Sequence, residues 1–196
     1  GYTGQGPSAV AIGSNAGNLY QKDYAVAIGN QAGNSNQQAN AVAIGDYAGA
    51  TTQGNRSVAI GNSAGNTTQG TNAVAVGNSA GFSDQGARSV AIGYQAGLTT
   101  QGVETVAIGY QAGYTGQGPS AVALGNSAGN NNQGTNAVAI GYQAGTTNQT
   151  ANSIILNASG SPLNNSTIGT FTVKPVRGVT SVTGLKQLYY DEITGE

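Results

Sequence analysis

The sequence predicts an all-β chain: a parallel β-roll, or solenoid, built from 16-residue coils. Valine recurs at 10, 26, 42, 58, 74, 90, 106, 122 and 138, a constant spacing of 16. Each valine lies in a short apolar phrase such as Ala41-Val-Ala-Ile-Gly45, with glycine three residues after the valine. Between the phrases stand Gly, Asn, Thr, Gln and Ser, which leave no apolar repeat of helical period. Nine copies run without insertion or deletion. That regularity is expected of units that stack, because one extra residue would displace every later coil.

Each unit reads as four pieces. The V-A-I phrase, β-branched at alternate positions and bracketed by glycine, is a short strand. A turn follows at positions such as Gly13, then a second short extended stretch through N-S-A-G, then a longer turn through T-T-Q-G. Successive coils are expected to pair in parallel about 4.8 Å apart, giving a stack roughly 40 Å long. In Ala-Val-Ala-Ile the valine and isoleucine point to one face and the alanines to the other. Neither face is polar, the pattern of a strand buried on both sides. One side faces the inside of the coil. The other needs cover that so thin a coil cannot provide, so neighbouring chains are expected to pack along it as a buried seam.

The carboxyl end departs from the repeat. Residues 1–152 form the array, 153–160 read as a capping coil in which S-I-I-L-N replaces A-V-A-I-G, and 161–196 read as a non-repetitive module. Identical coils specify register weakly, since a slip of sixteen residues preserves nearly every contact. The unique tail is therefore expected to align the chains, with Phe171, Val173, Leu185 and Leu188 as its core. The segment GYTGQGPSAVA occurs at Gly1 and again at Gly113, seven repeats later, as in an array extended by block duplication. The chain opens at Gly1 and holds no methionine, as expected of a piece of a longer protein.

Composition removes most chemistry. Only 7% of residues are charged and the formal net charge is -1, so no basic stripe exists to hold nucleic acid. No run is long enough to insert in a bilayer. Cysteine and histidine are absent, which leaves no disulfide, no thiolate nucleophile and no zinc set. The acids Asp23, Asp46, Asp84 and Glu104 fall at different repeat positions and give no catalytic carboxylate pair. Serines such as Ser63 and Ser79 have no base to activate them. The expectation is a non-enzyme with no cofactor and no metal site. The glutamine of each T-T-Q-G turn is expected to satisfy turn carbonyls or its neighbour's amide in the next coil. Phe82, Leu98 and Tyr114 share one repeat position in three consecutive coils, with Tyr94 and Tyr110 a short turn away. These five form a candidate patch, either for a protein or carbohydrate partner or for packing between chains. Paired threonines at Thr51-Thr52, Thr67-Thr68, Thr99-Thr100 and Thr146-Thr147 raise an ice-binding face, but Leu19-Tyr20, Ser83-Asp84 and Asn131-Asn132 interrupt it.

The repeated S/A-V-A-I-G phrase, with small residues and N-S-A-G between copies, resembles the YadA-like head repeat of trimeric autotransporter adhesins. The resemblance spans roughly residues 1 to 159. It implies a left-handed β-roll, three chains around one axis and a place outside the cell, although the units here are longer than those common in such heads. The segments Phe171 to Thr180 and Leu185 to Glu196 resemble those after similar repeats in fibre proteins of tailed phages and large DNA viruses. There they often precede a self-cleaving chaperone domain. The expected role is a shaft or head of a surface or virion fibre, homotrimeric and serving attachment to a host protein or glycan. A purely structural filament is the alternative.

Overall fold

The computed structural model describes residues 4–176. It is an all-β parallel solenoid of about ten coils, with no helix among the described residues. One sheet of eleven short strands runs its whole length. It starts at Val10–Ile12 and passes through Val26–Ile28, Val42–Ile44 and their successors to Val138–Gly141. Ile154–Asn157 and Phe171–Lys174 complete it. Each strand pairs in parallel with the equivalent strand of the next coil, Val10 opposite Val26 and Ile12 opposite Ile28. The backbone bonds alternate direction along the stack: the Val10 amide donates to Ala25 O, and the Gly29 amide donates back to Ile12 O.

The second sheet has six strands, from Thr52–Gln53 to Asn131–Gln133. It is formed by the T-T-Q segments. The N-S-A-G segment, expected to be extended, is instead a turn. Left-handed backbone explains the exchange. In the fourth coil Gly61, Ser63 and Gly65 all have positive φ (127°, 54° and 53°), and three such residues in five cannot lie in a strand. Glycine at the Gly61 position is obligatory for a second reason, because a Cβ there would stand 2.6 Å from Gly77 O in the next coil.

The two faces of the Ala-Val-Ala-Ile strand are now assigned. Alanines point inward and are fully buried, as at Ala43 and Ala48 of the third coil. They form one continuous alanine core, completed by Ile155 and Leu163 at the carboxyl end. Small side chains allow the two sheets to approach closely, and so the large Val and Ile must point outward. Beside the alanines runs a column of buried glutamines, from Gln21 to Gln149. Each Nε2 donates to the valine carbonyl eleven residues earlier, as Gln117 does to Val106 O at 2.9 Å. Many also donate to the next glutamine, Gln117 to Gln133 Oε1 at 3.0 Å and Gln21 to Gln37 Oε1 at 3.1 Å. The expected polar ladder is therefore the second half of the core.

This ladder is interrupted mid-stack. Gln69, Gln85 and Gln101 each hold a buried Oε1 with no donor. The break coincides with a change in backbone: Asn36, Asp84 and Thr100 are left-handed at one repeat position, whereas Thr52 and Thr68 at the same position are not. There the second sheet is thinnest, and Thr68–Gln69 pairs with Ser83–Gln85 only through Gln69 and Gln85.

The sheet does not end at residue 160. Phe171–Lys174 adds one more parallel rung, Phe171 opposite Ile154 and Val173 opposite Leu156. Leu163 is buried and bridges to Ala144, while the Thr150 hydroxyl holds the tail by donating to Thr167 O at 2.8 Å. Among the described residues Phe171 and Val173 are exposed and continue the outward columns of the first sheet. Leu185 and Leu188 lie outside the described residues.

Candidate functional site

Three surface features stand out, and each follows from the repeat. The first is the outward face of the eleven-stranded sheet. Val42 and Ile44 of each coil, and their equivalents, stack into two aliphatic columns in strict register. They are half-buried by their neighbours above and below, and Ile92 keeps 38% of its surface exposed. One column ends on Ile154 and Phe171, the other on Leu156 and Val173. No polar side chain interrupts them from Val10 to Leu156. A stripe of this length on a chain with so few charges is far more apolar surface than a lone soluble chain leaves in water.

The other two features divide the five aromatic and aliphatic candidates. Phe82, Leu98 and Tyr114 do share a column, at the corner leading into the second sheet, and all three are half-buried. Ala50 and Thr146 also occupy this position, but in the remaining coils it holds asparagine, whose Nδ2 can close the turn: Asn66 donates to Tyr47 O at 3.0 Å and Asn130 to Gln111 O at 3.0 Å. Phe82, Leu98 and Tyr114 replace that hydrogen bond with stacked apolar side chains. Tyr94 and Tyr110 belong to a different column, at the turn directly after the aliphatic strand. Their rings stack with centroids 5.4 Å apart and planes within 10°. Both remain about half exposed.

Tyr142 occupies the same position as Tyr94 and Tyr110 two coils later and is also exposed. The repeat spacing alone identifies it as a member of the column, although Asn126 in the intervening coil breaks the run of rings. In the amino-terminal half the same column is polar and closed. Asn30 and Asn62 donate to the two oxygens of Asp46 at 2.8 Å and 3.2 Å, and Asn78 donates to Asn62 at 3.4 Å.

Charged side chains are sparse. Arg88 and Glu104 form an ion pair at 2.8 Å with both side chains more than half exposed, a contact worth little in water. Among the described residues no group of three or more acidic side chains converges on a point that would hold a cation. The threonine pairs do not make a regular face: Thr52 is half-buried, Thr68 and Thr100 are exposed, and their backbones differ.

No curated protein and no solved structure matches the chain. The family model of the YadA head domain repeat matches it twice, over residues 37–64, which hold the aliphatic strands Val42–Ile44 and Val58–Ile60, and over residues 133–154, which hold Val138–Gly141.

Proposed function

We propose that the chain is a structural segment, shaft or head, of a trimeric surface or virion fibre that serves attachment and carries no catalytic activity. The carrying observation is the uninterrupted Val/Ile stripe on the outer face of the first sheet. The interior of each coil is complete without it, since alanines and glutamines fill the space between the sheets. Among the described residues nothing covers the stripe. Two further copies of the same chain, packed in parallel around an axis, would cover it with an identical stripe at the same rise per coil. The charge of the chain favours this occupant, because a near-neutral surface presents little repulsion between copies.

The magnitude is sufficient. Each coil leaves on the order of 100 Å² of aliphatic surface, and covering it stabilises the assembly by about 2.5 kcal/mol per coil at roughly 25 cal/mol per Å². Over the stack this exceeds the cost of association, which is of order 10 kcal/mol. The matches to the YadA head repeat support the trimer and a location outside the cell. Light scattering tests it: the mass should be three times the 19.3 kDa of one chain. A stable monomer would remove the argument.

A further inference from the structure

We propose that the exposed tyrosine column binds a neutral pyranose ring of a glycan, in the gap between Tyr110 and Tyr142 and above Asn126. This rests on the attachment reading and names the chemical class the surface takes.

Four observations converge. First, Tyr94 and Tyr110 show that rings at this position align face to face on successive coils, at 5.4 Å. Second, the next coil has Asn126 where a ring would stand, and Tyr142 follows one coil further. With coils about 4.8 Å apart, Tyr110 and Tyr142 originate roughly 10 Å from each other along the stack. A ring placed midway lies about 5 Å from each, within the range of ring-to-ring contact. At that spacing a flat aromatic ring leaves slack on both faces. A chair-form pyranose is thicker, with axial C–H bonds on both sides, and fills the space. Third, the floor is polar and available. Asn126 Oδ1 accepts from Ser127 Oγ at 3.1 Å, while Asn126 Nδ2 makes no hydrogen bond among the described residues and can donate to a ring hydroxyl. Gln111 Nε2 already donates to Gln95 Oε1 at 2.9 Å. Fourth, there is no Lys, Arg, Asp or Glu between Glu104 and Lys174. A charged sugar gains nothing there, whereas a neutral one loses nothing. The amino-terminal half of the column offers no such gap, because Asn30, Asp46 and Asn62 bond directly across the coils.

Saturation-transfer NMR tests the proposal on the assembled protein. The probes are methyl β-D-galactopyranoside, methyl β-D-glucopyranoside and, as the charged comparison, N-acetylneuraminic acid. A neutral pyranoside should show transfer and the acid should not. Tyr110→Ala should weaken binding by roughly fivefold to tenfold. Asn126→Tyr should abolish it by filling the gap with the protein's own ring, with no loss of melting temperature. Tyr24→Ala, at an exposed tyrosine elsewhere, should bind as the parent does. No transfer from either neutral pyranoside, or undiminished binding by Asn126→Tyr, overturns the proposal. Light scattering on the same samples reads the fibre proposal separately: the gap lies within one chain, so a monomer that binds sugar would refute the trimer alone.

Discussion

Replacing Ile92 by aspartate separates the fold of one coil from the proposed assembly of three chains. Ile92 stands in the outward column between Val76 and Ile108. In a single chain it is more than one-third exposed, so a carboxylate at this site can reach water, and the coil loses about 1 kcal/mol of packing. In the proposed trimer the same position is covered by two other chains. Three carboxylates would then be buried near one axis with no cation beside them, at a cost of several kcal/mol each. The matched control is Asn126→Asp, which adds the same charge at an exposed turn one face away and should change stability by less than about 0.5 kcal/mol. The assay is mass by light scattering together with thermal melting followed by circular dichroism. The expected result is a trimeric Asn126→Asp variant and an Ile92→Asp variant that is monomeric or aggregated at the same concentration. Acid gives an internal check. Burial raises the pKa of an introduced aspartate, so its penalty is fully present above the trimer value and disappears as pH falls toward the unfolded value of about 3.9. Assembly of Ile92→Asp should therefore recover on acidification. Equal trimer yield and melting for the two variants at neutral pH would show that the aliphatic face is not the seam.

Three further outcomes are expected. Gln117→Leu should cost about 3 kcal/mol in chemical denaturation, because it strands Val106 O and breaks the amide bonds to Gln101 and Gln133; Gln85→Leu, which loses only its bond to Val74 O, should cost about half as much. Gly61→Ala, with φ at +127° and the next coil's carbonyl in the way, should lower stability by at least about 3 kcal/mol, whereas Gly160→Ala, with nothing within 4 Å of the added carbon, should cost about 1 kcal/mol by the same assay. Deleting residues 161–196 removes the last rung, Phe171–Lys174, and the buried Leu163, and should give mis-registered or aggregated material that stays β-rich by circular dichroism; homogeneous trimers of native stability would place registration in the repeats themselves.

The period, the parallel pairing and the two faces of the Val-Ala-Ile strand were legible because each is a matter of spacing. A 16-residue repeat with no insertion admits one register, and alternation along a strand assigns side chains to faces without further information. The glutamine column was legible for the same reason: a polar residue kept at one position of every coil has its counterpart directly above and below. What spacing cannot show is which face turns inward. That depends on the distance between the sheets, which the left-handed residues Ser63 and Gly65 set by folding N-S-A-G into a turn rather than a strand. Positive φ at serine, glutamine or arginine leaves no mark in composition, so the second strand was expected one segment too early. The candidate patch divided for a related reason. Phe82, Leu98 and Tyr114 share a position and stack, but Tyr94 and Tyr110 lie four residues earlier, across a turn that places them in a separate column. The tail was legible only as a departure from the repeat, and the continuation of the aliphatic columns through Phe171 and Val173 required the pairing with Ile154 and Leu156.

The assignment of faces bears on how the chain folds. A core of alanine and glutamine buries little apolar area per residue, and its hydrogen bonds are worth only about 1 kcal/mol each net. Each coil must also hold residues such as Arg56, Arg88 and Glu104 in left-handed conformations that cost side-chain-bearing residues roughly 1 kcal/mol apiece. The interior of a coil is thus well satisfied but weakly stabilising. The larger side chains, which would ordinarily make the core, have been placed outside. On this reasoning much of the hydrophobic stabilisation of the proposed fibre comes from the cover that other chains give the Val/Ile columns, beyond what one chain supplies. The polar ladder and the glycine turns then serve a different end. They hold the aliphatic columns straight and evenly spaced, as the proposed trimer requires if its copies are to match coil for coil.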